Sequence, residues 1–228
     1  MNATQRSRAL DAHRTALAGC RRCGFGSEIT PIVSRASRPH AMLIGQAPGK
    51  VEADSGKPFS GRAGRTLFGW LERAGIDELT ARDRIYISAV TRCYPGAHPS
   101  GRGDRVPSRE EQLSCSAWLE SELRIIQPKL VIPVGRLAIE RFLPKLPLAL
   151  LIGTKRMVEH AGGRSVVIPL PHPSGASSWI HETGHRNLLD SALHLIALEL
   201  GSLVAAPTGA LPATKNFRVD HADPAPHR

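Results

Sequence analysis

HAMLIGQAPG, at residues 40–49, sets the architecture that we expect for this chain. Its short apolar run, His40–Ile44, ends at Gly45, and such a run is typical of a buried β-strand. A loop rich in glycine, proline and serine follows over residues 46–61. Three further segments have the same strand character: residues 84–90 (RIYISAV), 129–133 (KLVIP) and 166–169 (VVIP).

Helices are predicted between these strands. Leu67, Trp70 and Leu71 have helical spacing, and Ser108 with Glu111 forms a capping box at a helix start. The alternation of short apolar strands with helices predicts an α/β protein with three layers, α/β/α, around a central four-stranded parallel sheet. The predicted helices cover residues 6–18, 62–74, 108–126, 136–142 and 182–200.

The composition indicates a folded, basic protein. The chain has 228 residues, of which 41% are hydrophobic, and this excludes wholesale disorder. Its 30 Lys and Arg outnumber its 20 Asp and Glu, which leaves a formal net charge of +10. That charge favours a polyanion as partner, although a basic composition can also serve solubility alone.

Membrane insertion and secretion are not expected. The apolar stretches, such as residues 146–152, are far shorter than the roughly 18 residues of a membrane span. Arg6, Arg8 and Arg14 lie where a signal peptide would be apolar. We therefore expect a cytoplasmic monomer with one domain over residues 1–203 and a flexible Ala/Pro-rich tail over residues 204–228.

The four cysteines form a candidate metal site. Cys20 and Cys23 make a C-x2-C pair, and Cys93 and Cys115 lie much further along the chain. A cytoplasmic protein is not expected to hold structural disulfides. Four thiolates can bind zinc or a four-iron cluster; the spacing does not choose between them, and the chemistry alone favours zinc. Either group would fasten the N-terminal segment to the domain body.

Three loops are expected to meet at one cleft, because parallel sheets bind ligands beyond the carboxyl ends of their strands. They follow the first, second and fourth strands, at residues 46–61, 91–107 and 170–181. In the first loop, the Gln46 amide and open main chain can face a ligand, and Phe59 is either a stacking face or a loop anchor. In the last loop, two prolines restrict the backbone of His172 and aim its imidazole; the alternative is a structural histidine.

Taken in order, four features of the chain resemble the uracil-DNA glycosylase superfamily, most closely its iron–sulfur group, often called family four. They are the four cysteines, GQAPG followed by GKPFSGRAG, SAVTRC before Tyr94 and Pro95, and HPSG at residues 172–175. The resemblance covers about residues 20–200. It implies the three-layer fold, a repair enzyme that hydrolyses the N-glycosidic bond of uracil in DNA to leave an abasic site, and uracil-containing DNA as partner. It also implies a [4Fe-4S] cluster instead of zinc, held by Cys20, Cys23, Cys93 and Cys115.

The resemblance also implies roles for individual residues. His172 would donate a hydrogen bond to a uracil carbonyl oxygen as the bond breaks. Gln46, at a position that is often glutamate, and Glu52, at an acidic position of the family, are the other catalytic candidates. Ala47 stands where other uracil glycosylases carry a water-activating aspartate, so this chain lacks that base. The residues expected to contact the base are Ala47, Gly49, Phe59 and Ser88.

Ser88 marks a departure from the family pattern. It is taken as the counterpart of an asparagine whose amide reads the uracil N3–H and O4. A serine hydroxyl makes only part of that pattern, and the loss of a bidentate contact costs roughly 1–3 kcal/mol of base discrimination. The pocket is therefore expected to be broader, or another group replaces the amide.

DNA contacts are expected on two loops. Ser174 and Gly175 would hold a phosphate, and Trp179 or Ile180 would wedge into the gap left by the flipped base or simply pack. Arg92, Arg102 and Arg105 form a candidate phosphate surface in the loop after the second strand, unless that loop is merely solvated.

Two other functions stay open from the sequence. One is a lesion-binding or abasic-DNA-binding protein of the same fold with little turnover, favoured by Ala47 and Ser88. The other is a zinc-bound nucleic-acid module without catalysis.

Overall fold

The computed structural model describes residues 1–23, 25, 28–37, 39–101, 103–174 and 179–204. Within them the chain runs through twelve helices and strands, with 3-10 turns at Leu148–Leu150 and Trp179–His181. In chain order these elements are α1 (Ala3–Ala18), β1 (Ala41–Gly45), α2 (Lys50–Ser55), α3 (Arg62–Arg73), α4 (Glu78–Arg84), β2 (Ile85–Ala89), α5 (Arg109–Ile126), β3 (Leu130–Pro133), α6 (Arg136–Ile139), β4 (Arg156–His160), β5 (Gly163–Val167) and α7 (His185–Val204).

The strands form one twisted sheet in the order β2-β1-β3-β5-β4. The four predicted strands correspond to β1, β2, β3 and β5, and every neighbouring pair among them is parallel. The prediction of a four-stranded sheet needs one correction, since β4 adds an antiparallel edge strand beside β5. Its sequence, RMVEH, is largely exposed and so carries no apolar run that would indicate a strand.

The buried core lies on both faces of this sheet. Every residue of β1 and β3 is buried, as expected for strands that helices cover on both sides. Helix α1 packs against α5, while α3 packs against α4 and α7. This arrangement gives the three-layer α/β/α fold that the sequence predicts.

The helix ends follow local sequence signals. Ser108 caps α5, where the Glu111 N–H donates to its hydroxyl and the Glu111 carboxylate accepts from the Ser108 N–H, so the predicted capping box is confirmed. Helices α2 and α4 were not predicted, because each is only six or seven residues long and carries no extended apolar periodicity. Helix α7 begins at His185 instead of Glu182.

No helix among the described residues is both long and apolar enough to cross a bilayer. The predicted tail lies outside the described residues from position 205 onward, and the domain boundary at 203 stays a prediction.

Candidate active site

A cavity of about 310 Å³ opens at the carboxyl ends of β1 and β2. Main-chain hydrogen bonds join the two strand ends there, because the N–H groups of Val90 and Thr91 donate to the carbonyls of Gly45 and Gln46 over 2.9 and 3.2 Å. The three predicted loops all reach this cavity. Their residues in its wall include Gln46, Ala47, Gly49, Glu52, Phe59, Ser88, Asp104, Arg105, His172 and Ser174.

Phe59 is held in an unusual conformation above the end of β1. Its φ of 50° lies in the left-handed region, which is costly for a bulky residue. The Arg82 guanidinium fixes this turn by donating to the carbonyls of Pro58 and Phe59 over 2.8 and 3.1 Å. A Cβ at Gly45 would lie 2.9 Å from the ring, and one at Gly64 only 1.9 Å from the Phe59 carbonyl oxygen. Two glycines therefore make room for an aromatic ring on the cavity wall.

His172 presents one defined nitrogen to the cavity. The Ser174 N–H donates to Nδ1 over 3.2 Å, and the Ser174 hydroxyl lies 2.8 Å from the same atom. Burial lowers the pKa of His172 below its ordinary value of 6.5, so the ring is neutral at pH 7. Because Nδ1 accepts, the proton is on Nε2, and this N–H is the donor left for a ligand.

Glu52 holds the first loop together. Its Oε2 accepts from the Gly49 N–H over 3.0 Å and its Oε1 from the Gly61 N–H over 2.8 Å. The carboxylate thereby ties the two ends of the loop that carries Phe59. This geometry favours a positioning role for Glu52 over proton exchange, and the catalytic role expected for it stays a prediction.

Ser88 lines the cavity, but its hydroxyl is committed elsewhere. It donates over 2.8 Å to Oε2 of the buried Glu122, on the α5 side of the sheet. Ala89 pairs in register with Gly45, whose Cβ direction points at the Phe59 ring. Partners in a parallel ladder present their side chains to the same face, and successive residues alternate. The side chain that faces Phe59 at the end of β2 is therefore the Ala89 methyl, which corrects the role expected for Ser88.

The structure also corrects the role expected for Arg92, which was contact with a DNA phosphate. Its side chain is 3% exposed and forms a 2.5 Å ion pair with Glu122, which itself is 1% exposed. A guanidinium buried in this way is not available to a DNA phosphate, contrary to the expectation. Glu122 is the centre of a buried network that His13, Tyr86, Ser88 and Arg92 complete.

The other expected DNA contacts have mixed outcomes. Arg105 reaches the cavity but makes a two-pronged ion pair with Glu111. Trp179 stacks on the ring of His185 at 4.1 Å between ring centres, and it packs against the core; its wedge role stays a prediction. Ser174 lies at the cavity, whereas Arg102 and Gly175 lie outside the described residues.

Exposed positive charge, carried by Arg35 and Lys57, lies beside the cavity instead. A second depression of about 340 Å³ shares Pro58 and Ile87 with it and is lined by Arg35, Lys57 and Arg82. Lys57 and Arg82 both approach Glu78, so this surface is partly neutralised. The sequence did not single it out, because its cations come from three separate segments.

The four cysteines line one small cavity of about 10 Å³, together with Trp118 and Arg92. The Trp118 Nε1–H donates to the Cys20 sulfur over 3.2 Å. Burial is the main cause that raises the pKa of Cys23, of Cys115 and of Cys93, the last to about 12. Four thiolates at this place therefore need a cationic group between them, and a four-sulfur donor set from three remote segments fits a structural metal centre.

The fold and this cavity define an α/β protein with a ligand cleft at the carboxyl edge of a parallel sheet, bounded by an aromatic ring and a neutral histidine. The sequence profile described as "Uracil DNA glycosylase superfamily" matches residues 33–193. The chain therefore belongs to the uracil DNA glycosylase superfamily.

Individual relatives agree with this membership. A Type-4 uracil-DNA glycosylase of Thermotoga maritima is 32% identical over 133 residues, which are 58% of this chain and 64% of that protein. A Type-4 uracil-DNA glycosylase of Sulfurisphaera tokodaii is 27% identical over 176 residues, 74% of this chain and 76% of that protein. A Type-5 uracil-DNA glycosylase of Mycobacterium tuberculosis is 35% identical over 101 residues, 39% of this chain and 35% of that protein.

Proposed function

We propose that this protein removes uracil from DNA by hydrolysing the N-glycosidic bond, which leaves an abasic site. The observation that carries the proposal is the fixed tautomer of His172, whose Nε2–H is left as a donor at a cavity that Phe59 also lines. The superfamily membership and the names of the relatives support the same reaction.

The reaction begins with a base that has left the stack. Phe59 offers the ring on which the flipped base stacks, and Gln46 with the main chain of residues 45–49 forms the wall around it. As the bond breaks, negative charge develops on the uracil carbonyl oxygens. The Nε2–H of His172 stabilises that charge, and such a preorganised donor contributes several kcal/mol in a site that excludes water.

A second candidate function is binding of deaminated or abasic DNA without turnover. It is favoured by Ala47, which carries no carboxylate, and by the Ala89 methyl where an amide is expected. The two functions are separated by incubating the protein with single-stranded and duplex oligonucleotides that carry one uracil, and then treating them with alkali. Strand scission at the uracil supports the enzyme; uncleaved DNA that stays bound to the protein contradicts it.

We further propose that Cys20, Cys23, Cys93 and Cys115 hold a [4Fe-4S] cluster. The support is the placement of all four thiols around one cavity, together with the similarity to Type-4 uracil-DNA glycosylases. When bound, the cluster would act as a cross-link between the N-terminal segment, the loop after β2 and α5.

Replacing Cys93 by serine is expected to remove the cluster from the purified protein. The measured quantities are iron and acid-labile sulfide, at about four of each per wild-type chain, together with the midpoint of thermal unfolding. We expect the variant to lose both elements and to unfold at a lower temperature. Zinc in the wild-type protein at one ion per chain, with no iron, would contradict the cluster.

Replacing Ala89 by asparagine is expected to sharpen base discrimination. An amide on the Phe59 side of β2 can pair with the N3–H and O4 of uracil, and one bidentate contact contributes roughly 1–3 kcal/mol, a factor of about 5 to 150. The measurement is the ratio of kcat/KM for uracil and cytosine at one position of an oligonucleotide. Ser88→Ala is the comparison and should leave the ratio unchanged, since that hydroxyl binds Glu122. A ratio that moves only in Ser88→Ala would restore Ser88 as the base-reading residue.

The DNA backbone is proposed to cross the basic depression next to the base cavity, where Arg35 and Lys57 are the exposed cations. Ser174 remains a second phosphate contact in this proposal. A monomeric state and a cytoplasmic location also stay predictions.

A further inference from the structure

Asp104 places a second carboxylate in the wall of the base cavity. It lies on one of two paired segments, residues 96–98 and 103–105, in which the Arg105 N–H donates to the Gly96 carbonyl over 3.0 Å and the His98 N–H to the Gly103 carbonyl over 2.9 Å. Asp104 itself pairs with Ala97 across the two segments. The carboxylate is therefore carried by a backbone whose position is fixed on both sides.

The side chain of Asp104 approaches the first loop at Gly49. A Cβ at Gly49 would lie 2.7 Å from Oδ2 of Asp104 and 2.9 Å from Oε2 of Glu52. The two carboxylates thus converge on the main chain next to Ala47. Glycine at position 49 leaves the space into which both side chains reach.

The two carboxylates differ in what their oxygens bind. Both oxygens of Glu52 accept main-chain N–H groups, and its side chain is buried. Within the described residues, Asp104 accepts no main-chain hydrogen bond, and its near neighbour is the Tyr94 hydroxyl. Asp104 is exposed at the cavity, so its oxygens can accept hydrogen bonds from a water molecule and from Tyr94 at the same time.

We propose that Asp104 is the catalytic residue that orients and deprotonates the attacking water; this inference rests on the glycosylase function proposed above. The N1–C1′ bond breaks and its electron pair leaves on the uracil ring, where His172 holds the developing charge. The water oxygen forms the new bond to C1′, and one water proton passes to the Asp104 carboxylate. The uracil anion takes up that proton when the product leaves, which restores the carboxylate.

The proposal explains how the site works without a carboxylate at position 47. A general base carried by the loop after β2 reaches the first loop beside Gly49, and general bases contribute roughly 10²- to 10⁴-fold to a rate. In this role the carboxylate would lie close to C1′, and its negative charge would also stabilise the positive charge that develops on the sugar.

The test is the single-turnover rate of uracil release by the cluster-loaded protein and by its Asp104→Asn variant. We expect the rate to fall by roughly 10²-fold or more, with unchanged affinity for the oligonucleotide and unchanged thermal unfolding. Added formate, a small carboxylate, should restore part of the activity of Asp104→Asn and none of the activity lost in His172→Ala. The matched control is Asp54→Asn, an exposed aspartate on α2 outside the cavity wall, which should keep the wild-type rate.

Two outcomes overturn this role of Asp104 without touching the proposed function. One is wild-type release of uracil together with an equal rate for Asp104→Asn. The other is a fall in rate that formate does not restore and that comes with weaker DNA binding, which would make Asp104 a binding or structural residue.

The variant Glu52→Gln distinguishes the role of Glu52 from that of Asp104. We expect it to lower the unfolding temperature, since an amide cannot accept both main-chain N–H groups equally. If the wild-type protein releases no uracil, that result contradicts the proposed glycosylase function and not only the role of Asp104.

Discussion

Replacing His172 by alanine is expected to lower the rate of uracil release by roughly 10²- to 10³-fold, while DNA binding persists. The reason is the donor geometry: the Ser174 N–H fixes Nδ1 as an acceptor, and burial keeps the ring neutral, so Nε2 carries the proton that meets the leaving base. The measurement is a single-turnover rate alongside a binding titration with the same oligonucleotide.

Two comparisons make this result specific to His172. His194→Ala changes an exposed histidine on α7 and should leave both quantities as in the wild type. Ser174→Ala removes only the hydroxyl and retains the main-chain N–H that sets the tautomer, so it should lose less activity than His172→Ala. Equal rates for His172→Ala and the wild type would refute the role assigned to the histidine.

Replacing Glu122 by alanine is expected to destabilise the protein by roughly 3–5 kcal/mol, because it leaves the Arg92 guanidinium buried without its partner. That is a large part of the 5–15 kcal/mol typical of a folded domain. The same change removes acceptors from Tyr86 and Ser88. The measurement is the free energy of unfolding in denaturant, at matched cluster content.

Glu120→Ala is the control for this effect. Glu120 lies on the same helix but pairs with Arg124 at the surface, and surface pairs of this kind contribute only about 0.3–0.5 kcal/mol. A loss for Glu122→Ala no larger than that for Glu120→Ala would show that the buried network contributes little.

The pH dependence of stability gives this network a second readout. Burial alone would raise the pKa of Glu122, but Arg92, His13 and Ser88 outweigh burial and hold the pKa below its ordinary value of 4.5. A lowered pKa contributes stability that is present above pH 4.5 and is lost as the pH falls through the native value. The wild-type protein should therefore lose stability in acid more steeply than Glu122→Ala.

The strands that could be predicted from the sequence are those that consist of a run of apolar residues. Residues 40–44 indicate β1 because every one of its positions is buried. Strand β4 could not be predicted, since it is defined by pairing with β5 and most of its side chains face solvent. Helix α5 was predicted with its first turn, because Ser108 and Glu111 cap it locally.

The cavity was predicted through the rule that ligands bind at the carboxyl edge of a parallel sheet, and His172, Phe59 and Gln46 do meet there. The residues whose expected roles were corrected are those whose surroundings depend on distant parts of the chain or on the face of the sheet. Arg92 is one of several arginines in a polar loop, and only the fold shows that Glu122, thirty residues further along the chain, buries it. Ser88 and Ala89 differ by one position, and that step moves a side chain to the other face of the sheet.

The central claim is tested most directly by the mass of a single-stranded oligonucleotide with one uracil, measured after incubation with the cluster-loaded protein. We predict that the oligonucleotide loses one uracil and gains one hydroxyl, that free uracil appears in equal amount, and that an oligonucleotide with thymine at that position keeps its mass. An unchanged mass of the uracil oligonucleotide, with the DNA still bound to the protein, would contradict the account.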